Sequence, residues 1–128
     1  MSTIIAANIS DGTTSVASTY VVNGSAKAWV NFNGIGTVAI RDSMNATSLT
    51  DSGAGVYAVN FTSAMGNTNY CPTTGFTPDT LGNADNRWAT IITGVATGLI
   101  NVDCSIIANG WIRIDKSHMF VAIHGDLA

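Results

Sequence analysis

Between Ala26 and Phe61 the apolar and polar positions alternate in runs too short for helices. Ala26, Ala28, Val30 and Phe32 share one parity, and Lys27, Trp29, Asn31 and Asn33 share the other. That period of two marks a half-buried strand. Asn33-Gly34-Ile35-Gly36 supplies residues suited to a tight reversal. Val38 and Ile40 then resume the apolar parity opposite Thr37 and Arg41. After a second turn at Ser52-Gly53-Ala54-Gly55, the stretch Val56 to Thr62 places Tyr57, Val59 and Phe61 on one face. The pattern predicts a β-meander as the nucleus of the fold.

On the N-terminal side, Ser2 to Ile9 is a short apolar stretch closed by the turn residues Ser10-Asp11-Gly12. It reads either as an edge strand or as an arm docked on a neighbouring subunit, and both readings bury Ile4, Ile5 and Ile9. Residues 1–12 are therefore set apart from one domain spanning 13–128. Thr14 to Val22 reads as a Thr-rich strand entering a hairpin at Asn23-Gly24. On the C-terminal side, Thr47 to Thr50 is a short strand, and Met65-Gly66-Asn67 is a loop. Tyr70 opens a strand that Pro72 either confines to an edge or ends early. Thr73 to Asn86 reads as a long surface loop, rich in Gly, Pro, Asn and Asp, of the kind that carries recognition. Arg87 to Thr93 resumes strand structure. Leu99 to Ile107 alternates cleanly, with Ile100, Val102, Cys104 and Ile106 against Asn101, Asp103 and Ser105. Asn109-Gly110 turns into Trp111 to Ile114. His118 to His124 forms the last strand, with Met119, Val121 and Ile123 on one face, and Gly125 to Ala128 reads as a frayed end. About eight strands suit an all-β fold, an antiparallel β-sandwich around the meander.

Composition sharpens this picture. Only 10% of the residues are charged, all eight acids are aspartate, and the chain has neither Glu nor Gln. The good helix formers of protein surfaces are therefore largely missing. A net charge of −3 with five scattered basic residues gives no basic stripe for nucleic acid. Low charge with a mean hydropathy of +0.28 points to a surface that meets other protein. No apolar run approaches a membrane span, and Met1 to Ser10 lacks the basic flank and length of a signal peptide.

The candidate chemistry is sparse. His118 and His124 share strand parity but stand six residues apart, about 20 Å along a strand, so one chain cannot close both on one metal. Cys71 and Cys104 are an even pair, read either as a bridge or, the favoured reading, as free thiols of a chain folded in a reducing cytoplasm. Asp42, Asp51, Asp79, Asp85, Asp103 and Asp115 fall mostly at turns, where Asp serves the backbone. Gly34-Ile35-Gly36 lacks the third glycine and the helix of a dinucleotide site. No catalytic, cofactor or metal residues are assigned, and the chain is read as non-enzymatic. Trp29 leaves the Val30 and Phe32 face and is either a subunit contact or part of a second covered face. Trp88 and Trp111 read either as ordinary core or rim aromatics, the favoured reading, or as side chains that stack on a sugar ring at a receptor site.

One stretch also carries a resemblance. Asn23-Gly24-Ser25-Ala26-Lys27-Ala28-Trp29-Val30-Asn31-Phe32-Asn33-Gly34 and Gly36-Thr37-Val38-Ala39-Ile40-Arg41-Asp42-Ser43 are the matching residues. Ser48-Leu49-Thr50-Asp51, Tyr57-Ala58-Val59-Asn60-Phe61 and Val121-Ala122-Ile123 continue the match. Together they resemble a module that recurs in bacteriophage tail-fibre and other virion appendage proteins, especially of marine phages. The resemblance implies a structural protein of the virion, assembled in the host cytoplasm as a homotrimer and bound to other virion proteins. On that reading Ile4, Ile5 and Trp29 are the subunit-interface candidates. Phe76, Asp79, Asn83, Asp85, Arg87 and Trp88 are the receptor-surface candidates, facing a host surface glycan or protein. A capsid decoration or head-fibre protein anchored by its N-terminal arm is the alternative, favoured by the lack of a shaft segment. A carbohydrate-binding β-sandwich module is the further alternative, and the lack of a secretion signal counts against it.

Overall fold

The computed structural model describes residues 2–77, 87–107 and 110–128. Antiparallel β structure dominates. The strands are β1 (Asn8–Ser10), β2 (Ser15–Ala17), β3 (Ala26–Asn33), β4 (Ala39–Met44), β5 (Ala46–Gly53), β6 (Val56–Phe61), β7 (Cys71–Thr77), β8 (Arg87–Val95), β9 (Leu99–Ile107), β10 (Trp111–Arg113) and β11 (His118–His124). Eight have six residues or more. One short helix, α1 (Ser18–Gly24), lies between β2 and β3.

Two sheets build the body. One is four-stranded in the order β4-β3-β11-β7. In the other, β9 is central, with β8 on one side and β6 followed by β5 on the other. β10 pairs with β9 beyond the end of β6. The parity read from the sequence decides the burial. Ala28, Val30 and Phe32 of β3 and Met119, Val121 and Ile123 of β11 join Tyr57, Val59, Phe61, Ile100, Val102 and Cys104 of the other sheet in one apolar cluster. The Phe32 and Tyr57 rings meet edge to face at 5.2 Å, a contact between the two sheets.

The stretch from Ala26 to Phe61 is not a single meander. β3 and β4 pair in one sheet, and β5 and β6 pair in the other. The chain crosses between sheets at Asn45, which takes φ 55°. Asn is among the few side chains that enter this region readily. Its amide holds the crossing: Nδ2 donates to the carbonyls of Lys27 and Ser63, and Oδ1 accepts the Ser63 N–H at 2.7 Å.

Several boundaries differ from the sequence pattern. Thr14 to Val22 is not one strand: it gives β2 and then α1, and among the described residues no strand pairs with Ser18 to Val22. Asn23-Gly24 accordingly ends a helix instead of turning a hairpin. Thr47 to Thr50 is the middle of the longer β5. Thr73 to Thr77 belongs to β7, an edge strand that carries Pro72 near its start, where a missing N–H is tolerated. Gly125 to Ala128 is tied down: the Gly66 N–H donates to Asp126 O, the Ala128 N–H donates to Ala64 O, and Met65 bridges Leu127.

Candidate functional site

The N-terminal segment is the least buried part of the molecule. Nothing from Ser2 to Ser25 is fully buried. Ile4 and Ile5 are each 94% exposed, and Ile9, Val16, Tyr20, Val21 and Val22 are exposed as well. These are seven of the fourteen large apolar side chains that stand exposed among the described residues. Local bonds shape the segment. The Asp11 carboxylate accepts the N–H groups of Thr13 and Thr14, which turns β1 back onto β2. The same bonds, that of Thr14 first, hold the Asp11 carboxyl below its ordinary range. Helix α1 contributes no buried residue and has no side-chain cap. Its exit is fixed by contacts at the start of β3, where Lys27 Nζ donates to Val22 O and His124 Nδ1 meets Gly24 O at 2.9 Å.

Beside that exit lies the outer face of the four-stranded sheet. Trp29 pairs with Met44 on one side and Ala122 on the other, and Asn31 pairs with Asp42 and Phe120. Trp29 is half-buried, Met44 and Phe120 are exposed, and a shallow trough runs past Trp29, Gly75 and Phe120. Asn31 Oδ1 is buried beside it with no hydrogen-bond partner among the described residues. An unpaired buried acceptor costs about 1–3 kcal/mol, and an incoming donor would relieve it.

The opposite end of the molecule is built differently. There the β3–β4 turn, the β5–β6 turn and the link before β11 meet. The Gly34 N–H donates to Lys116 O, and Tyr57 Oη is 3.1 Å from Gly34 O and 2.7 Å from Asp115 Oδ1. The Gly55 N–H donates to the same Asp115 oxygen at 2.7 Å. Burial first, then the Asp115 hydrogen bond, push the Tyr57 phenol well above its ordinary pKa of 10.0. Nearby, on the outer face of β8, β9 and β10, is a cleft of about 610 Å³. Asp103 forms part of its floor and is 3% exposed. Its Oδ2 accepts Arg113 Nε at 2.8 Å, and its Oδ1 accepts the Thr93 hydroxyl at 3.2 Å. Ser105 is buried in the same wall, and Trp111, 62% exposed, stands at the side.

The residues singled out in the sequence are scattered across this frame. Ile4, Ile5 and Trp29 lie at the arm end. Phe76 is not on a loop: it sits in β7, packs against the core, and carries Lys116 Nζ over its ring at 5.9 Å. The alternation that turns Thr74 and Phe76 inward follows from the pairing of β7 with β11. Asp79, Asn83 and Asp85 lie outside the described residues. Arg87 and Trp88 open β8. The Asp103–Arg113 pair was not singled out. The Asn109-Gly110 hairpin signal contained it, since pairing Trp111 with Ile107 sets Arg113 opposite Ser105, diagonal to Asp103. Cys71 is exposed and Cys104 is buried, and no disulfide joins them. His118 meets Ser117 Oγ, and no group of three metal-ligating side chains gathers among the described residues. No described helix is long and apolar enough to cross a membrane. The chain matches no family model, no curated protein and no solved structure.

Proposed function

We propose that the chain is a non-enzymatic structural protein of a bacteriophage virion, a tail-fibre or appendage component assembled as a homotrimer. Its two sheets form a β-sandwich, and the arm of each copy packs on its neighbours. The observation that carries this reading is the unburied arm. A segment with this many exposed apolar side chains, and only Asp11 as a charged residue between Ser2 and Gly24, is suited to burial against protein. The trough at Trp29 adjoins the arm's exit and offers both apolar area and an acceptor in need of a donor. The resemblance over Asn23 to Phe61 supplies the virion context.

Polarity supports the appendage form of the reading. The arm leaves beside Lys27 and His124, whereas the Tyr57 corner and the Asp103 cleft lie at the far end of the strands. One end thus serves attachment and the other is left to face a host surface. A capsid decoration or head-fibre protein, held to its lattice by the same arm, is the second reading, and the exposure of Ile4 and Ile5 favours it equally.

Two measurements test the proposal. Light scattering of the full chain should give three times the mass of one copy, and removal of residues 2–24 should return the mass to that of a monomer. A monomeric full chain at all concentrations counts against the trimer and leaves the decoration reading. Mass spectrometry of purified particles of the virus that encodes the chain should detect it. Its absence from particles refutes both readings.

A further inference from the structure

The cleft at the far end has the chemistry of a sugar subsite. Asp103 is a charged side chain almost fully withdrawn from water, on the outer face of the central strand β9. Its partner Arg113 keeps 59% of its side chain exposed. Only Nε of the guanidinium is engaged by Asp103, so the other N–H groups of its fork are oriented and still able to donate. Each carboxylate oxygen accepts one bond from Arg113 or Thr93 and retains further acceptor capacity. The Ser105 hydroxyl lines the same wall. Oriented donors and acceptors therefore alternate across a few ångströms, backed by Ile91 and flanked by the indole of Trp111.

We propose that this cleft binds a neutral hexopyranose, the terminal or exposed unit of a surface glycan. A pyranose has a C–H face that packs on an aromatic plane and hydroxyls that both donate and accept. The Trp111 indole matches the first property, and the Asp103, Arg113, Thr93 and Ser105 set matches the second. The Asp103 and Arg113 charges balance one another, so the pair presents no net charge that would select a charged ligand. An anionic sugar would bring its carboxylate toward Asp103 on a chain that is already net negative. The inference deepens the host-surface part of the reading above.

The test is saturation-transfer NMR on the full chain with the methyl glycosides of glucose, galactose, mannose and N-acetylglucosamine, and with glucuronate as the charged control. Transfer to the C–H protons of at least one neutral glycoside is expected. Trp111→Ala should weaken that binding about tenfold, the loss of roughly 1.4 kcal/mol of contact. Asp103→Asn, which keeps the shape and removes the charge, should also weaken it. Should Asp103→Asn fail to fold, Trp111→Ala alone decides, because Trp111 is exposed on a short edge strand. No transfer from any neutral glycoside, unchanged binding in Trp111→Ala, or tighter binding of glucuronate would each overturn the proposal. Assembly is measured separately by mass, so failure of sugar binding and failure of the trimer are distinguishable.

Discussion

Replacing Tyr57 with Phe removes one oxygen from the corner where three connections meet. The side chain is 1% exposed, so its hydroxyl finds no water to replace its protein partners. The stronger bond runs to Asp115 Oδ1 at 2.7 Å, and the weaker approach is to Gly34 O at 3.1 Å. A single O–H counts as one bond to a carboxylate, worth about 1.5–3 kcal/mol. Asp115 still accepts the Gly55 N–H, which limits the loss, and Phe is cheaper to bury than Tyr. The expected destabilisation is therefore about 2 kcal/mol, seen in urea as a midpoint lower by roughly 1 M. A double-mutant cycle checks the geometry. A Cβ on Gly34 would overlap the Tyr57 hydroxyl and stand 3.0 Å from Lys116 O. Gly34→Ala should be severe alone and milder in the Tyr57→Phe background, because part of the overlap is gone. A Tyr57→Phe effect below about 0.5 kcal/mol, or additive double-mutant energies, would show that the hydroxyl does not hold the corner.

Alkaline pH should act through the same group. The unfolded phenol ionises near 10.0, whereas the folded one holds its proton to higher pH. Stability from Tyr57 is thus complete below about pH 10 and falls as pH rises above it. Thermal melts at pH 9 to 11, in steps of about half a unit, should show a steeper decline for the native chain than for Tyr57→Phe. Gly55→Ala should cost about 3 kcal/mol or more, because Gly55 has φ 66° and its Cβ would meet Cys104 O and Ile114 N; a soluble variant with an unchanged melting temperature would contradict this. A thiol reagent should label Cys71 in the native state and Cys104 only on unfolding, as their exposures require. Deleting residues 2–24 should leave the body folded with a cooperative denaturant transition, since none of those side chains is buried within one copy, and should remove the dependence of the midpoint on protein concentration that a trimer held by the arm would show.

Period-two alternation carries one kind of information well. It placed Val30, Phe32, Val59, Val102 and Val121 on buried faces because a strand has only two faces and one of them is covered. Glycine at Gly36, Gly53 and Gly55 marked turns for a reason local to the backbone: each takes positive φ. Alternation does not say which strands pair. Nothing in the run from β4 to β5 distinguishes a turn within one sheet from a step between two, and only the bonds of Asn45 to Lys27 and Ser63 decide it. The α1 segment is the converse case. Tyr20, Val21 and Val22 favour strands, yet no strand is beside them to pair with. Phe76 was misplaced because Gly75 and Pro78 read as loop residues, while Thr73 to Thr77 had a partner in β11 far along the chain.

The two outer faces of the body solve unlike problems, and this difference bears on function. On the five-stranded sheet, the buried polar residue Asp103 of β9 is paired by its neighbours, Arg113 of β10 and Thr93 of β8. On the four-stranded sheet, the central polar residue Asn31 is buried at Oδ1 with no partner among the described residues, between an indole and an exposed Phe120. A complete face needs no partner, whereas an incomplete one gains from a partner that brings a donor. The unburied arm emerges next to the incomplete face, two strand positions from Trp29 at Lys27, and its own backbone N–H groups are donors of the required kind. The other face, with its charges already balanced, is left free at the far end of the strands. A chain so poorly charged would be expected to associate through any surface, but these two faces differ in what association would satisfy. On the proposed reading, that difference assigns assembly to one end of the molecule and recognition to the other.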